Sequence, residues 1–395
     1  MLVALIMGFA CGLPLLLTKS VLQAWMTEKG VDLTVIGLFA LVGLPYSIKF
    51  LWSPLLDHIR LPFLGRRRGW LLIFQVLLTL SIAWLGFTDP GKNTLFVAIA
   101  AFLVTLFSAS QDIVVDAYRR EDLNDPELGL GSSLYVNGYR LGMLLASGGG
   151  LILADHIPYT LVYLIMAACM LPGIITTILT PEPELTGSPT TFIKAVYEPF
   201  VEYFSRRGAI WILAFILLYK IGDTMASEMT IPFYLNLGFT KTEIGAVVKL
   251  FGFWATIAGG LLGGVIMLRI GINRSLWYFG ILQAVSTAGF VVLARAGHNI
   301  TALTGVISFE NLSSGMGTAA YVAFMASITN KKFTATQYAL LSSLMAVPRV
   351  FVSSITGILA KHLGWTLFFI ACVLIAIPGL LILRQLSSRK LENQV

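Results

Sequence analysis

The sequence predicts an all-α, polytopic membrane protein of twelve transmembrane helices arranged as two six-helix repeats. Three observations predict it. Hydrophobic residues make up 57% of the 395-residue chain and charged ones only 12%, about half the ~25% charged share of a soluble domain. Apolar runs of roughly 20 residues, the length a helix needs to cross a bilayer, recur along the whole chain. The second half also repeats short strings of the first.

In order, the predicted spans are 2–26, 33–56, 69–87, 94–117, 132–154 and 158–180, then 209–235, 241–267, 274–295, 301–328, 335–360 and 363–384. The first is too long for a signal-peptide core and lacks a basic n-region, so it reads as a span, with a short cytoplasmic segment expected before it. GLP at 12–14 and 43–45 interrupts the first and second spans. The third follows the Arg66–Arg68 cluster, the fourth ends in SASQDIVVDA (108–117), the fifth carries GGG at 148–150 and the sixth LPG at 171–173. A polar stretch, PEPELTGSPTTFIKAVYEPFVEYFSRRG (181–208), then separates the halves; it opens on breakers and continues as an amphipathic surface helix. The seventh span carries YKIGD, the eighth GG at 259–260 and 263–264, the tenth FEN, the eleventh Arg349 and the twelfth IPG at 377–379. Glycines and prolines inside spans permit close helix contact and kinks. The expected division is 1–180, a linker 181–208, and 209–395.

The net charge of +7 is mostly topological. Of 27 Lys and Arg residues, sixteen fall in the loops after even-numbered spans, the linker and the C-terminus, and five on the opposite side. The positive-inside rule therefore puts both termini in the cytoplasm and leaves no case for nucleic-acid binding. Cys11, Cys169 and Cys372 lie scattered in apolar segments, as packing residues. GFTDPGKN (86–93) ends on Asn93 where a phosphate-binding loop needs Ser or Thr. Four histidines without metal-ligand spacing and no nucleophile constellation speak against an enzyme, a metal or a cofactor.

GVDLTVIG (30–37) returns as GFTKTEIG (238–245) and ADHIPYTL (154–161) as AKHLGWTL (360–367). Parallel repeats joined by a cytoplasmic linker are the organisation of major facilitator transporters. The loop SPLLDHIRLPFLGRRRG (53–69) fits, with Asp57, Gly65, Arg66, Arg67 and Arg68 as gating-loop candidates. It departs from the superfamily pattern at Ser53 and in the spacing of Asp57 from Gly65, and a plain positive-inside cluster is the alternative.

Eleven ionisable residues remain inside the spans: Lys19, Lys49, Asp112, Asp116, Arg140, Lys220, Asp223, Glu228, Lys249, Glu310 and Arg349. Each costs about 2.5–3.5 kcal/mol at the bilayer centre, so most must face water or one another. Asp112 and Asp116 share one helix face by their i, i+4 spacing, and two such carboxylates compete for ionisation, as a proton-binding site requires. Asp116 could equally be an interfacial network with Arg119 and Arg120. Arg140 is a candidate partner for Asp112. Lys220 and Asp223 read as a solute site or an internal ion pair, and Glu310, without a local partner, as a proton or solute group. Six bases against five acids suit an anionic solute, and Trp25, Tyr46, Trp52, Tyr135, Tyr139 and Trp254 could stack on sugars or simply pack.

IKFLWSPLLD (48–57), FLGRRRGWLL, SASQDIVVDA, GYRLGMLLASGG, YKIGD, FENLSSGMGT and FTATQYALLSSLMAVPRV together resemble the AmpG-type muropeptide permeases, over essentially the whole chain. The resemblance implies a bacterial inner-membrane symporter that brings N-acetylglucosaminyl-1,6-anhydro-N-acetylmuramic acid and its peptides into the cytoplasm for cell-wall recycling, in many bacteria feeding β-lactamase induction. It would use protons and no cofactor, and a monomer is the expected state. The family motif carries proton coupling onto Asp112 and Asp116, with Glu310 and Asp223 behind them. Arg140, Lys49, Lys220, Arg349, Gln111, Tyr46, Trp25 and Tyr139 are the candidate solute contacts. Relatives that move acetyl-CoA keep another anionic solute, or a peptide, as the alternative, and a non-transporting muropeptide sensor as a third. Some members carry further C-terminal hydrophobic segments, whereas this sequence stops at LENQV.

Overall fold

The computed structural model describes residues 1–183, 192–206, 208–240 and 243–392. Much of the expected linker (184–191 and Arg207) and Lys241, at the start of the eighth predicted span, lie outside the described residues. The described chain is helical throughout its ordered elements. In order these are α1 (Leu2–Glu28), α2 (33–58), α3 (Arg66–Phe87), α4 (Thr94–Asp122), α5 (128–154), α6 (Tyr159–Leu179), α7 (Ala209–Asn236), α8 (Ile244–Ile270), α9 (Ile272–Ala296) and α10 (Ile300–Ile328). Gly364, at φ 71°, divides the last long helix, Thr334–Glu392, into α11 (334–363) and α12 (365–392). A separate linker helix, Phe192–Ser205, stands where an amphipathic one was expected. Among the described residues eight helices are long and apolar enough to cross a membrane.

The departures from regular winding have local causes. α2 alternates between α and 3₁₀ turns, at Phe39–Gly43 and Lys49–Leu51, with Pro45 and Pro54 opening the segments that follow. Each proline lacks an N–H and cannot continue the ladder behind it. A carbonyl in the first 3₁₀ turn, that of Val42, is taken up by the Thr105 hydroxyl of α4 at 2.6 Å, which is how an interrupted membrane helix stays satisfied. α1 and α5 each widen into a π turn, at Leu17–Val21 and Leu145–Gly149, and α8 opens with one at Ile244–Phe251. Such bulges concentrate at functional sites.

The chain forms two compact units. Unit 1 comprises Met1–Phe200 together with Ala326–Ser343, and unit 2 Val201–Met325 together with Leu344–Val395. The α10–α11 turn and the first turns of α11 thus cluster with unit 1, although they belong to the second sequence repeat.

In unit 1, α1 and α5 touch backbone to backbone. A Cβ at Gly138 would strike the Leu5 carbonyl group and lie 3.0 Å from Phe9 N, and one at Gly142 would lie 2.8 Å from Leu13 N. Small residues permit this approach, and dispersion between the backbones holds it where lipid offers no hydrophobic drive. In unit 2, α8 and α10 do the same, through Gly259, Gly263 and Gly315. The far part of unit 2 is an aromatic core in which Phe369 meets Phe233 at 4.8 Å and Phe290 at 4.9 Å between ring centroids.

Candidate functional site

The α2–α3 turn carries the predicted gating residues, and the fold gives each a partner. Gly65, at φ 84°, turns the chain into α3. The first free amides of α3, those of Arg67 and Arg68, donate to the Glu182 carboxylate at 2.8 and 3.0 Å. This anion sits where a helix N-terminus favours one, and it ties the segment after α6 to α3. Arg68 also donates to the Thr177 carbonyl.

Arg67 is fully buried between two acids, Asp57 at 2.7 Å and Glu121 at 2.6 Å, while Arg66 reaches Glu121 at 3.0 Å. Asp57 further accepts from the amides of Ala335 and Thr336, at 3.2 and 2.9 Å, and from the Thr336 hydroxyl at 2.8 Å. It therefore caps the exposed N–H groups of α11 as well as pairing with Arg67. Glu121, Glu182 and Thr336 were missed by sequence reasoning. Glu121 left a trace, an acid directly after Arg119 and Arg120, but its partners lie more than fifty residues away.

Deeper in unit 1, α2, α4 and α5 bring polar groups together. Lys49 and Asp112 face each other at 4.0 Å, both buried. Lys49, from α2, is thus a base set against Asp112 that local spacing on α4 did not indicate. Arg140 is half-buried on α5. Tyr46 donates to Ser108 at 2.8 Å and Trp52 to Ser110 at 3.0 Å, which aligns α2 against the polar face of α4. Gln111 donates to the Cys11 sulfur at 3.4 Å. Its Oε1, one Asp112 oxygen and both amide atoms of Asn137 have no hydrogen-bond partner, and buried groups left so are costly.

Asp116 pairs with Arg119 at 3.0 Å; Arg119 also donates to the Tyr338 hydroxyl at 2.9 Å and lies 4.4 Å from the Tyr135 ring centroid. This is the charge-network reading of Asp116, extended by two tyrosines. Arg120 goes to Asp125 instead. Tyr139 is half-buried 6.2 Å from the Tyr135 ring. Trp25 is buried and stacked on Tyr159 at 5.2 Å.

Unit 2 holds a second cluster. Lys220 and Asp223 form the expected pair on α7 at 2.9 Å. Glu310 of α10, solitary in the sequence, meets Asp223 and the Ser286 hydroxyl of α9. Lys19, Glu228, Lys249 and Trp254 are exposed. Arg349 stands on α11, but its side chain lies outside the described ones. No group of three or more metal-ligating side chains gathers among the described residues.

Among the described residues, charges are paired inside apolar helices of membrane length, the arrangement a membrane carrier requires. The chain belongs to the Major Facilitator Superfamily, whose family model matches residues 1–352. Its fold superimposes on that of the proton:xylose symporter XylE with a TM-score of 0.71, over 97% of this chain and 94% of that one, at 12% identity.

Within the superfamily it belongs with the AmpG-type permeases. It is 46% identical, over 96% of its length and 78% of the relative's, to the anhydromuropeptide permease of Escherichia coli (strain K12). An uncharacterized protein of Haemophilus influenzae is 43% identical over 100% of this chain and 96% of its own. The putative transporter AmpG 4 of Rickettsia conorii is 35% identical over 97% and 95%.

Proposed function

We propose that the protein imports N-acetylglucosaminyl-1,6-anhydro-N-acetylmuramic acid and its peptides across the bacterial inner membrane, driven by the proton gradient. The observation that carries this reading is the 46% identity, over nearly the whole chain, to a protein named for that activity. The chemistry agrees with it. Such solutes present carboxylates and sugar rings, and the spans present Lys49, Arg140, Lys220 and Arg349 as bases, with Gln111, Tyr46 and Tyr139 beside them. Trp25, stacked on Tyr159, serves packing in this reading. Asp112, Asp116, Asp223 and Glu310 are the carboxylates available for coupling, and the Asp57–Arg68 loop is the gate. The chain works as a monomer with both termini in the cytoplasm, its two six-helix halves, 1–180 and 209–395, joined by the 181–208 linker.

The test is uptake of radiolabelled anhydromuropeptide by proteoliposomes, with an imposed inward proton gradient and with it collapsed. Accumulation that requires the gradient is the expected result. No accumulation by vesicles holding folded protein, together with uptake of labelled acetyl-CoA, would assign another anionic solute. Solute binding without any uptake would make the protein a sensor.

A further inference from the structure

Charge counting separates the two buried clusters. In unit 1 each acid has its own base: Asp112 has Lys49 at 4.0 Å, and Asp116 has Arg119 at 3.0 Å. Both acids can remain ionised without leaving a net charge in the bundle. In unit 2 two carboxyls meet one base. Lys220 is hydrogen-bonded to Asp223, at 2.9 Å, and Glu310 lies against that pair from the neighbouring α10.

The remaining described groups around Glu310 bring no second positive charge. α9 contributes the Ser286 hydroxyl, and α7 contributes the Tyr234 phenol besides Lys220 and Asp223. One oxygen of Glu310, Oε2, has no hydrogen-bond partner although the residue is only 9% exposed. An unpaired, desolvated carboxylate oxygen is expensive, whereas a neutral carboxyl in the same place is not. Two carboxylates sharing one cation in a largely desolvated site therefore keep a proton between them, as paired acids do elsewhere. The ammonium fixes the anion on Asp223, so the proton falls to Glu310.

A small cavity adjoins Asp223, lined also by Gln283, Thr287, Tyr219 and Cys372, with room for about one water molecule. The Gln283 Nε2 beside it has no partner of its own. This space touches the pair at Asp223, and a water in it would accept from or donate to the pair there.

We propose that Glu310 is the proton carrier of this transporter, held neutral at rest by the Lys220–Asp223 pair. In the cycle, Glu310 takes a proton from water on the proton-rich side and gives it to water on the other. Only O–H bonds form and break, and Lys220 is the base shared by both carboxylates while Glu310 is ionised. This assignment rests on the reading of the chain as a gradient-driven importer, but its test can fail separately.

The test is infrared spectroscopy of the purified protein in lipid, following the C=O stretch of protonated carboxyls. A band present in the wild type at neutral pH should vanish in Glu310→Gln, return in Glu310→Asp and persist in Asp112→Asn. It should also vanish in Asp223→Asn, because Lys220 then becomes the partner of an ionised Glu310, an effect no merely structural role for Asp223 predicts. In proteoliposomes Glu310→Gln should lower gradient-driven accumulation to the level of a collapsed gradient while exchange of labelled for unlabelled solute continues. A neutral-pH band that survives Glu310→Gln, or gradient-driven accumulation by that variant, overturns the proposal. If the band behaves as stated but the wild type does not accumulate anhydromuropeptide, the substrate reading falls and the proton assignment stands.

Discussion

Asp57→Asn tests how the start of α11 is held. The wild-type carboxylate makes four short contacts: Arg67 at 2.7 Å, the Ala335 and Thr336 amides at 3.2 and 2.9 Å, and the Thr336 hydroxyl at 2.8 Å. Hydrogen bonds to a charged group contribute about 1.5–3 kcal/mol each, though not additively. Asparagine keeps the shape and one acceptor oxygen but turns an NH₂ toward donors, so about half of the contacts are lost.

Breaking a buried ion pair outright costs about 3–5 kcal/mol. Here Arg67 retains Glu121 at 2.6 and 2.9 Å, which keeps the loss below that range. A cost of about 2 kcal/mol follows, or about 30-fold in the opening equilibrium, since ~1.4 kcal/mol is tenfold. Hydrogen exchange reads it directly, because the Ala335 and Thr336 amides belong to the first turn of α11, where no intrahelical acceptor exists. Both should lose roughly that factor of protection, while amides in the middle of α4 stay unchanged. Exchange within about twofold of wild type at both positions would refute the argument, because the cap would then contribute nothing.

Other perturbations follow from the same contacts. Gly138→Ala places a methyl against the Leu5 carbonyl group and should lower stability by at least the ~1–3 kcal/mol of overpacking, whereas Gly148→Ala, whose nearest neighbour would be Leu144 Cδ1 at 3.7 Å, should be tolerated; thermal unfolding in detergent compares them. Lys49→Met strands the Asp112 charge, so the double variant Lys49→Met/Asp112→Asn should be more stable than Lys49→Met alone, with a coupling of about 1–3 kcal/mol in a double-mutant cycle. Glu182→Ala uncaps α3 and should cost about 1 kcal/mol, seen as faster exchange at the Arg67 and Arg68 amides.

The Glu243 carboxyl, one residue before α8 begins at Ile244, is held below its usual range by the Thr240 backbone amide, the His298 ring and the Thr240 hydroxyl. A depressed acid stabilises the folded state above its unfolded value, so this cap should hold at neutral pH. It should weaken as pH falls below the ordinary ~4.3, measured as exchange at the Thr240 amide. Unchanged protection down through that range would show that the cap does not depend on the ionised carboxylate.

Much of this was legible in the chain because lipid imposes simple rules. A segment such as 94–107 has nowhere to go but across the bilayer, and GVDLTVIG returning as GFTKTEIG reports a duplication by itself. Local spacing also sufficed for Lys220 and Asp223, three apart on one helix, and for Asp116 beside Arg119. It failed where the partner is distant. Nothing near Asp112 on α4 points to Lys49, which arrives from α2 only because 3₁₀ turns and two prolines set that helix's path. Nothing near Glu121 points to Arg66 and Arg67.

The sequence by itself determined that the protein spans a membrane, that it is duplicated, and that charges must be hidden within the spans, since hydropathy and periodicity are properties of single helices. Only the tertiary structure decided which charges meet: that Asp57 holds both Arg67 and the start of α11, and that Asp112 and Asp116 are each balanced by a base. It also placed Glu310 beside an acid that already has the only described base within reach. The reason is physical. Coulomb and desolvation energies depend on distances of a few ångströms between side chains, and those distances are set by how the helices pack, not by their order along the chain.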